Sequence, residues 1–272
     1  TSDLAANAAR EALKNAGVSA SEVDLVLVAT STPDLTLPST AAITQHKLGI
    51  KRGAAFDINA VCSGFLYGLS VADSFIASGK AKTILLIGAE TYSRILDWND
   101  RTTCILFGDG AGAVVLQAKD GEGTVDDRGI LACEIYSDGE FAPLLGSTGG
   151  VSSTKDAGKL FMHGKEIFRH AVAKMADSVD ANLAAVGLAR EDINWLVPHQ
   201  ANQRILSATA KRLNIPEERA IVTVDQHANT SAASIPLALS VAASQGRFKA
   251  GDLIATPALG AGLTWGSCLI RW

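Results

Sequence analysis

Leu69-Ser70-Val71-Ala72 recurs as Leu239-Ser240-Val241-Ala242, and Gly17 recurs as Gly187, so two separated matches share one spacing of 170 residues. No other feature of the 272-residue chain limits its fold as much. At the same spacing Ala12 to Val28, read as a helix, a glycine stop, an acidic turn and a strand, parallels Asn182 to Pro198, and Lys82 to Ala89 parallels Asp252 to Leu259. Units built twice from one pattern bury their apolar faces against each other. Helix-length and strand-length apolar runs alternate, which predicts an α/β protein with two mixed sheets packed face to face and helices between and outside them. The expected organisation is a first half over 1–118, linking strands and loops over 119–163, and a second half over 164–272.

The spacing also pairs Asn59 with Asn229 and the helix start at Cys62 with Ala232. In each half a run of small residues, Cys62-Ser63-Gly64 or Ser231-Ala232-Ala233, opens an apolar helix. Two such helix starts fit a close approach at a pseudo-twofold axis.

Composition narrows the function. With 47% apolar and 19% charged residues, the chain has enough apolar sequence for a large core. A net charge of -4, with no dense Lys/Arg run, argues against nucleic-acid binding. Apolar runs such as Thr83 to Ala89 are strand length, far short of a bilayer span. The four cysteines, Cys62, Cys104, Cys133 and Cys268, are scattered without a CxxC or zinc-like pairing, which reads as a reducing, cytoplasmic setting. No secretory signal is visible at Thr1. His163 and His170 flank a helix start at a spacing unsuited to joint metal ligation, and Gly108-Asp109-Gly110-Ala111-Gly112 reads as a tight turn into a strand rather than a dinucleotide fingerprint.

Three polar segments follow apolar, strand-like runs. Cys62 comes after Ala54 to Ile58, Pro198-His199-Gln200-Ala201-Asn202 after Trp195 to Val197, and His227-Ala228-Asn229-Thr230-Ser231 after Ile221 to Val224. A cysteine in the first turn of a helix gains from unpaired N–H groups that favour thiolate. Taken singly, Cys62 also reads as a small packing residue, His199 as a satisfied strand-end histidine and Asn229 as a turn or cap. Together they make a nucleophile, an imidazole and an amide.

These residues resemble a known family. Asp57-Ile58-Asn59-Ala60-Val61-Cys62-Ser63-Gly64-Phe65, Pro198-His199-Gln200-Ala201-Asn202 and His227-Ala228-Asn229-Thr230-Ser231-Ala232-Ala233-Ser234 are similar to signatures of the initiating 3-oxoacyl-acyl-carrier-protein synthases, ketoacyl synthase III. Phe107-Gly108-Asp109-Gly110-Ala111-Gly112-Ala113 and Thr264-Trp265-Gly266-Ser267 extend the likeness over nearly the whole chain. The resemblance implies a duplicated, five-layered αβαβα thiolase fold and a homodimer. It also implies that Cys62 takes an acyl group from an acyl-CoA, acetyl-CoA first, and that the acyl-enzyme condenses with malonyl-acyl-carrier protein as CO2 leaves. Cys62, His199 and Asn229 would then be catalytic, with the backbone N–H groups of Cys62 and Ala261 as the oxyanion hole. An amide cannot take up a proton, so Asn229 serves as donor only, while His199 could also move protons. No metal and no cofactor beyond the CoA thioester substrate is implied.

By the same resemblance Arg101 and Arg204 would meet the CoA nucleotide, a role suited to guanidinium groups, although ordinary solvated charge is the plainer reading. Asn202 would face the pantetheine arm or a water near Asn229. Leu37 and Leu259 would shape the acyl pocket, Leu37 from across the dimer. Both depart from the common family pattern in not being aromatic, and Ala261 replaces the middle glycine of the late turn, which keeps its shape only if Ala261 has an allowed backbone conformation. Longer, branched or aromatic primers, as in synthases of secondary metabolism, are the alternative this opens. Elongating synthases carry a second histidine where Asn229 stands, and degradative thiolases a cysteine in the turn at Gly260-Ala261-Gly262. Cys268 lies outside that turn and reads as core. A non-catalytic scaffold subunit would not need all three polar residues. Relatives open with a strand and a helical segment before the position of Thr1, so the expected first strand is absent from this sequence, and residues preceding Thr1 are expected.

Overall fold

Gly17 and Gly187 end their helices in the left-handed conformation, at φ 65° and 71°, as glycine does without steric cost. In the computed structural model, which describes residues 1–272, the match continues bond by bond. The Ser19 N–H donates to Glu22 Oε2 at 2.8 Å and the Ala189 N–H to Asp192 Oδ2 at 2.8 Å, closing two equivalent turns. The Thr83 N–H then donates to Asp24 Oδ2 at 3.0 Å, and the Leu253 N–H to Asn194 Oδ1 at 2.7 Å. Each pair keeps the 170-residue spacing read from the sequence.

The first half runs Ser2–Ala16 (α1), Leu25–Ala29 (β1), Thr40–Lys47 (α2), Ala54–Ile58 (β2), Gly64–Ala77 (α3), Thr83–Thr91 (β3) and Asp109–Gln117 (β4). Its sheet has the order β2-β1-β3-β4, parallel except for β4. Gly129–Ser137 (β5) follows, with Leu145–Ser147 (β6) and Leu160–Met162 (β7) paired in a small ribbon. The rest comprises Gly164–Val186 (α4), Trp195–Leu196 (β8), Gln203–Leu213 (α5), Val224–His227 (α6), Ser234–Ser244 (α7), Leu253–Gly260 (β9) and Thr264–Arg271 (β10). The second sheet has the order β5-β10-β9-β8, with only β8 and β9 parallel.

Alternation along β1 builds the layers. Leu25 and Leu27 face inward and join Phe65, Leu66 and Leu69 of α3, Ile235 and Leu239 of α7 and Ile254 of β9 in one buried cluster. Val26 and Val28 face outward, under Ala5, Ala9 and Leu13 of α1. On the far side Val179 and Leu183 of α4 and Leu213 of α5 cover Ala255 and Leu269. Helix, sheet, helix, sheet, helix is the resulting order. Strands covered on both faces read as continuous apolar runs, as at Thr83 to Ala89.

Two places break the repeat. The connection from β3 to β4 spans 92–108, whereas that from β9 to β10 is a tight turn over 261–263. The strand expected over Ile221 to Val224 does not form. Only a single bridge joins Leu196 to Ala220, after which the Gln226 and His227 N–H groups turn back to Thr223 O to make α6. The buried Gln200 side chain supplies the missing partners: its Oε1 accepts from the Thr223 N–H at 2.8 Å, and its Nε2 donates to Pro198 O and Ile221 O. Asn229 therefore follows a helical turn instead of a strand end.

Candidate active site

The turn that carries Cys62 is conformationally unusual. Val61, a β-branched residue, sits at φ 50°, and its counterpart Ser231 also sits at φ 50°. Such a backbone is unfavourable for branched side chains and persists only where surroundings impose it. Those surroundings are the end of β9 and the turn after it. A Cβ on Gly260 would lie 2.7 Å from Cys62 N and 3.1 Å from Ser63 N, so the absent side chain lets β9 press against the turn. Thr264 Oγ1 donates to Ala60 O at 2.9 Å, and Ser63 Oγ to Thr264 O at 3.0 Å. Ala261 has an ordinary negative φ while Gly262 takes φ 133°, so the alanine substitution leaves the turn intact. The Ala261 N–H has no acceptor in the protein.

His199 and Asn229 converge on the same place. The His199 N–H is held by Pro257 O of β9 at 2.9 Å, three residues before Gly260. Asn229 is pinned to 106–108, its N–H donating to Leu106 O at 2.8 Å and its carbonyl accepting from the Gly108 N–H at 3.0 Å. Asn229 Oδ1 accepts from the Ser231 N–H at 2.9 Å, which leaves the Nδ2 amino group to act as donor. His199 Nδ1 lies 2.6 Å from Ser234 Oγ, and Nε2 has no partner in the protein. The helix starts at Gly64 and Ala232 touch, as the repeat requires: a Cβ on Gly64 would sit 3.3 Å from that of Ala232.

Burial dominates the electrostatics. Desolvation pushes the Cys62 thiol up to about 12; the Ser231 hydroxyl lowers it, the Glu90 carboxyl raises it and its own N–H lowers it. A rise from 9 to about 12 is worth about 4 kcal/mol, whereas a helix end supplies about 0.3–1 kcal/mol, or about 2 kcal/mol in partly buried geometries. Burial therefore opposes the helix-start activation expected from the sequence. Desolvation likewise holds His199 down at about 3, so its ring is neutral.

Sequence reasoning passed over Glu90, a fully buried carboxyl that ends the apolar run of β3. Burial raises its pKa, against hydrogen bonds from Thr32 and Ser31. Ser231 belongs to the motif around Asn229 without a role that the motif itself implies. Its hydroxyl is near enough to influence Cys62, Glu90 and Tyr92 alike, yet makes no well-aligned hydrogen bond with any of them. A polar residue closing an apolar strand was the available signal for Glu90.

The peripheral residues divide. Asn202 caps α5, its Oδ1 accepting from the Ile205 N–H at 3.1 Å, and with Arg204 it lines a cleft of about 920 Å³ bounded by Met162 and Phe168. The Arg204 guanidinium lies 5.6 Å from the Phe168 ring centroid. Arg101 is exposed on 92–108 and does not line this cleft. Leu259 is buried in a cluster with Tyr92, Phe107 and Leu263, whereas Leu37 is 78% exposed. Cys268 is core, directly opposite Cys133 on β5.

Comparison with known proteins shows the family and the fold. Residues 56–139 match the family model of 3-oxoacyl-[acyl-carrier-protein (ACP)] synthase III, and residues 183–272 match the model of its C-terminal part. The chain is 59% identical over 272 residues to beta-ketoacyl-[acyl-carrier-protein] synthase III of Rhodospirillum centenum, covering 100% of this chain and 84% of that one. The crystal structure of 3-oxoacyl-(acyl carrier protein) synthase III from Pseudomonas aeruginosa PAO1 superimposes with a TM-score of 0.93 at 44% identity, over 100% of this chain and 83% of that one. The enzyme from Aquifex aeolicus VF5 gives 0.92 at 46% identity, over 98% and 83%. The chain belongs to the 3-oxoacyl-[acyl-carrier-protein] synthase III family, the thiolase-fold condensing acyltransferases that initiate fatty-acid synthesis.

Proposed function

We propose that Cys62 accepts the priming acyl group, with acetyl-CoA as its first donor, and that His199 and Asn229 drive its condensation with malonyl-acyl-carrier protein. One observation carries the reading. The segment Asn229 to Ser234 reaches Cys62 through Ser231 and His199 through Ser234, and leaves the Asn229 amino group unengaged.

In the first step Cys62 Sγ attacks the thioester carbonyl, and the oxyanion is met by the N–H groups of Cys62 and Ala261. The C–S bond to CoA breaks, and the thiol proton ends on the departing CoA sulfur, whose basicity grows as that bond lengthens. In the second step the malonyl carboxylate leaves as CO2, and negative charge gathers on the malonyl thioester oxygen, where His199 and Asn229 donate. The enolate carbon attacks the acyl-Cys62 carbonyl and expels the thiolate, which takes a proton from water. Loss of one such donor costs about 10²–10³ in rate. The scheme uses no cofactor beyond the CoA thioester.

Asn202 and Arg204 are assigned to the pantetheine and nucleotide of CoA on the strength of their shared cleft. Arg101 is assigned to the same nucleotide on resemblance alone. Leu259 is assigned to the acyl pocket. Leu37 belongs there through a homodimer, which the open outer strand β2 and the exposed Leu35, Leu37 and Trp98 support. No helix is long and apolar enough to cross a membrane, and the cytoplasm is the compartment we assign.

The test is transfer of label from acetyl-CoA to wild type and Cys62→Ser, read by mass spectrometry with a panel of longer and branched acyl-CoAs. Label is expected only with Cys62 present, and label persisting in Cys62→Ser overturns the nucleophile. Asn229→Ala is expected to keep acylation but lose malonyl decarboxylation at least a hundredfold, to order of magnitude (about 10²). Equal loss of both overturns its role.

A further inference from the structure

We infer that Ser234 is a positioning residue that fixes the tautomer of His199 and so makes Nε2 a hydrogen-bond donor to substrate. Donation to substrate rests on the function proposed above, while the tautomer follows from the hydrogen bonds around Ser234.

Ser234 Oγ, on a residue only 2% exposed, has two neighbours: the Gln200 N–H at 3.2 Å and His199 Nδ1 at 2.6 Å. An amide N–H can only donate, so the hydroxyl accepts there. The hydroxyl proton then has one acceptor in the protein, Nδ1. Were Nδ1 to carry a proton and donate to Oγ instead, the hydroxyl proton would be buried without a partner, an arrangement proteins avoid. The imidazole proton therefore sits on Nε2, the nitrogen with no protein partner.

The Gln200 N–H that Ser234 Oγ accepts from is itself held in place. The Gln200 side chain binds Pro198 O at 2.8 Å, Ile221 O at 3.1 Å and the Thr223 N–H at 2.8 Å. Burial reinforces the assignment, since a neutral ring keeps the Nδ1 lone pair that the hydroxyl needs.

Asn229 is treated the same way a few residues earlier. Its Oδ1 is taken up by the Ser231 N–H, so Nδ2 is left to donate. Ser231 and Ser234 thus use up the acceptor atoms of both residues and leave two donors. That is the arrangement an oxygen gaining negative charge requires. At the 170-residue spacing the counterpart of Ser234 is Gly64, so the hydroxyl exists only in the half that holds the histidine.

The experiment is nitrogen-15 NMR of protein labelled in its five histidines, with His199 assigned by difference from His199→Asn, for wild type, Ser234→Ala and Ser234→Thr. Wild type is expected to show the Nε2–H tautomer; an Nδ1–H signal overturns the inference whatever the enzyme catalyses. Ser234→Ala is expected to show mixed tautomers and a fall of the decarboxylation-to-acylation ratio of about tenfold or more, with Ser234→Thr restoring both. An unchanged tautomer and ratio in Ser234→Ala overturns it. Failure of the wild type to acylate Cys62 would instead strike the proposed function and leave the NMR result standing.

Discussion

At the scale of single residues, burial sets the chemistry more than sequence neighbours do. His199 has an ordinary value of 6.5 when unfolded and about 3 in the fold, where desolvation disfavours the charged ring. The unfolded chain therefore binds the proton first as pH falls. Stability from keeping this ring neutral is complete above pH 6.5 and is lost as pH drops from 6.5 toward 3, by about 2 kcal/mol at pH 5. A His199→Asn variant is expected to lose less melting temperature between pH 7.5 and 5 than wild type. Parallel pH slopes for the two proteins would show that His199 is not the buried neutral group. The pair Cys62 and His199 was legible in the sequence because both sit in recognisable segments. Their protonation states were not, since desolvation depends on walls drawn from both halves of the chain.

At the scale of elements, the site depends on two helix starts meeting over β3. Gly88 lies at that crossing, where a Cβ would come within 2.2 Å of Ala232 O and 2.8 Å of its carbonyl carbon. Both offending atoms are backbone, so relief needs movement of the whole start of α7. Gly88→Ala is expected to cost about 2–3 kcal/mol, measured from urea unfolding midpoints. A cost below about 0.5 kcal/mol would mean the two starts are not rigidly packed. The run Ile221 to Val224 shows the opposite case, a segment whose apolar and β-branched residues suggested a strand. Local pattern favoured a strand, but the Gln200 amide in the neighbouring segment supplied its hydrogen bonds, and the chain turned into α6. No window of 221–224 contains Gln200, so no local reading could have found this.

At the scale of the whole molecule, the two halves share one interior. Leu66 of the first half and Leu239 of the second belong to a single buried cluster between the sheets. Truncating either to alanine should cost about 2–5 kcal/mol and shift the same transition. Far-ultraviolet circular dichroism reports both halves, whereas three of the four tryptophans, Trp195, Trp265 and Trp272, lie in the second. The two signals are expected to coincide in urea for wild type and both variants, and separated transitions would show independent halves. The sequence alone determined the duplication, the layer order and the identity of the three polar residues, because repeat spacing, apolar period and segment composition are written in contiguous residues. Only the tertiary structure decided that burial opposes ionisation of Cys62, that Glu90 lies buried near it, and that Ser231 and Ser234 leave donors on Asn229 and His199. Those properties arise from desolvation and hydrogen-bond satisfaction among residues as far apart as Glu90 and Ser231, which meet only once both sheets have closed around α3 and α7.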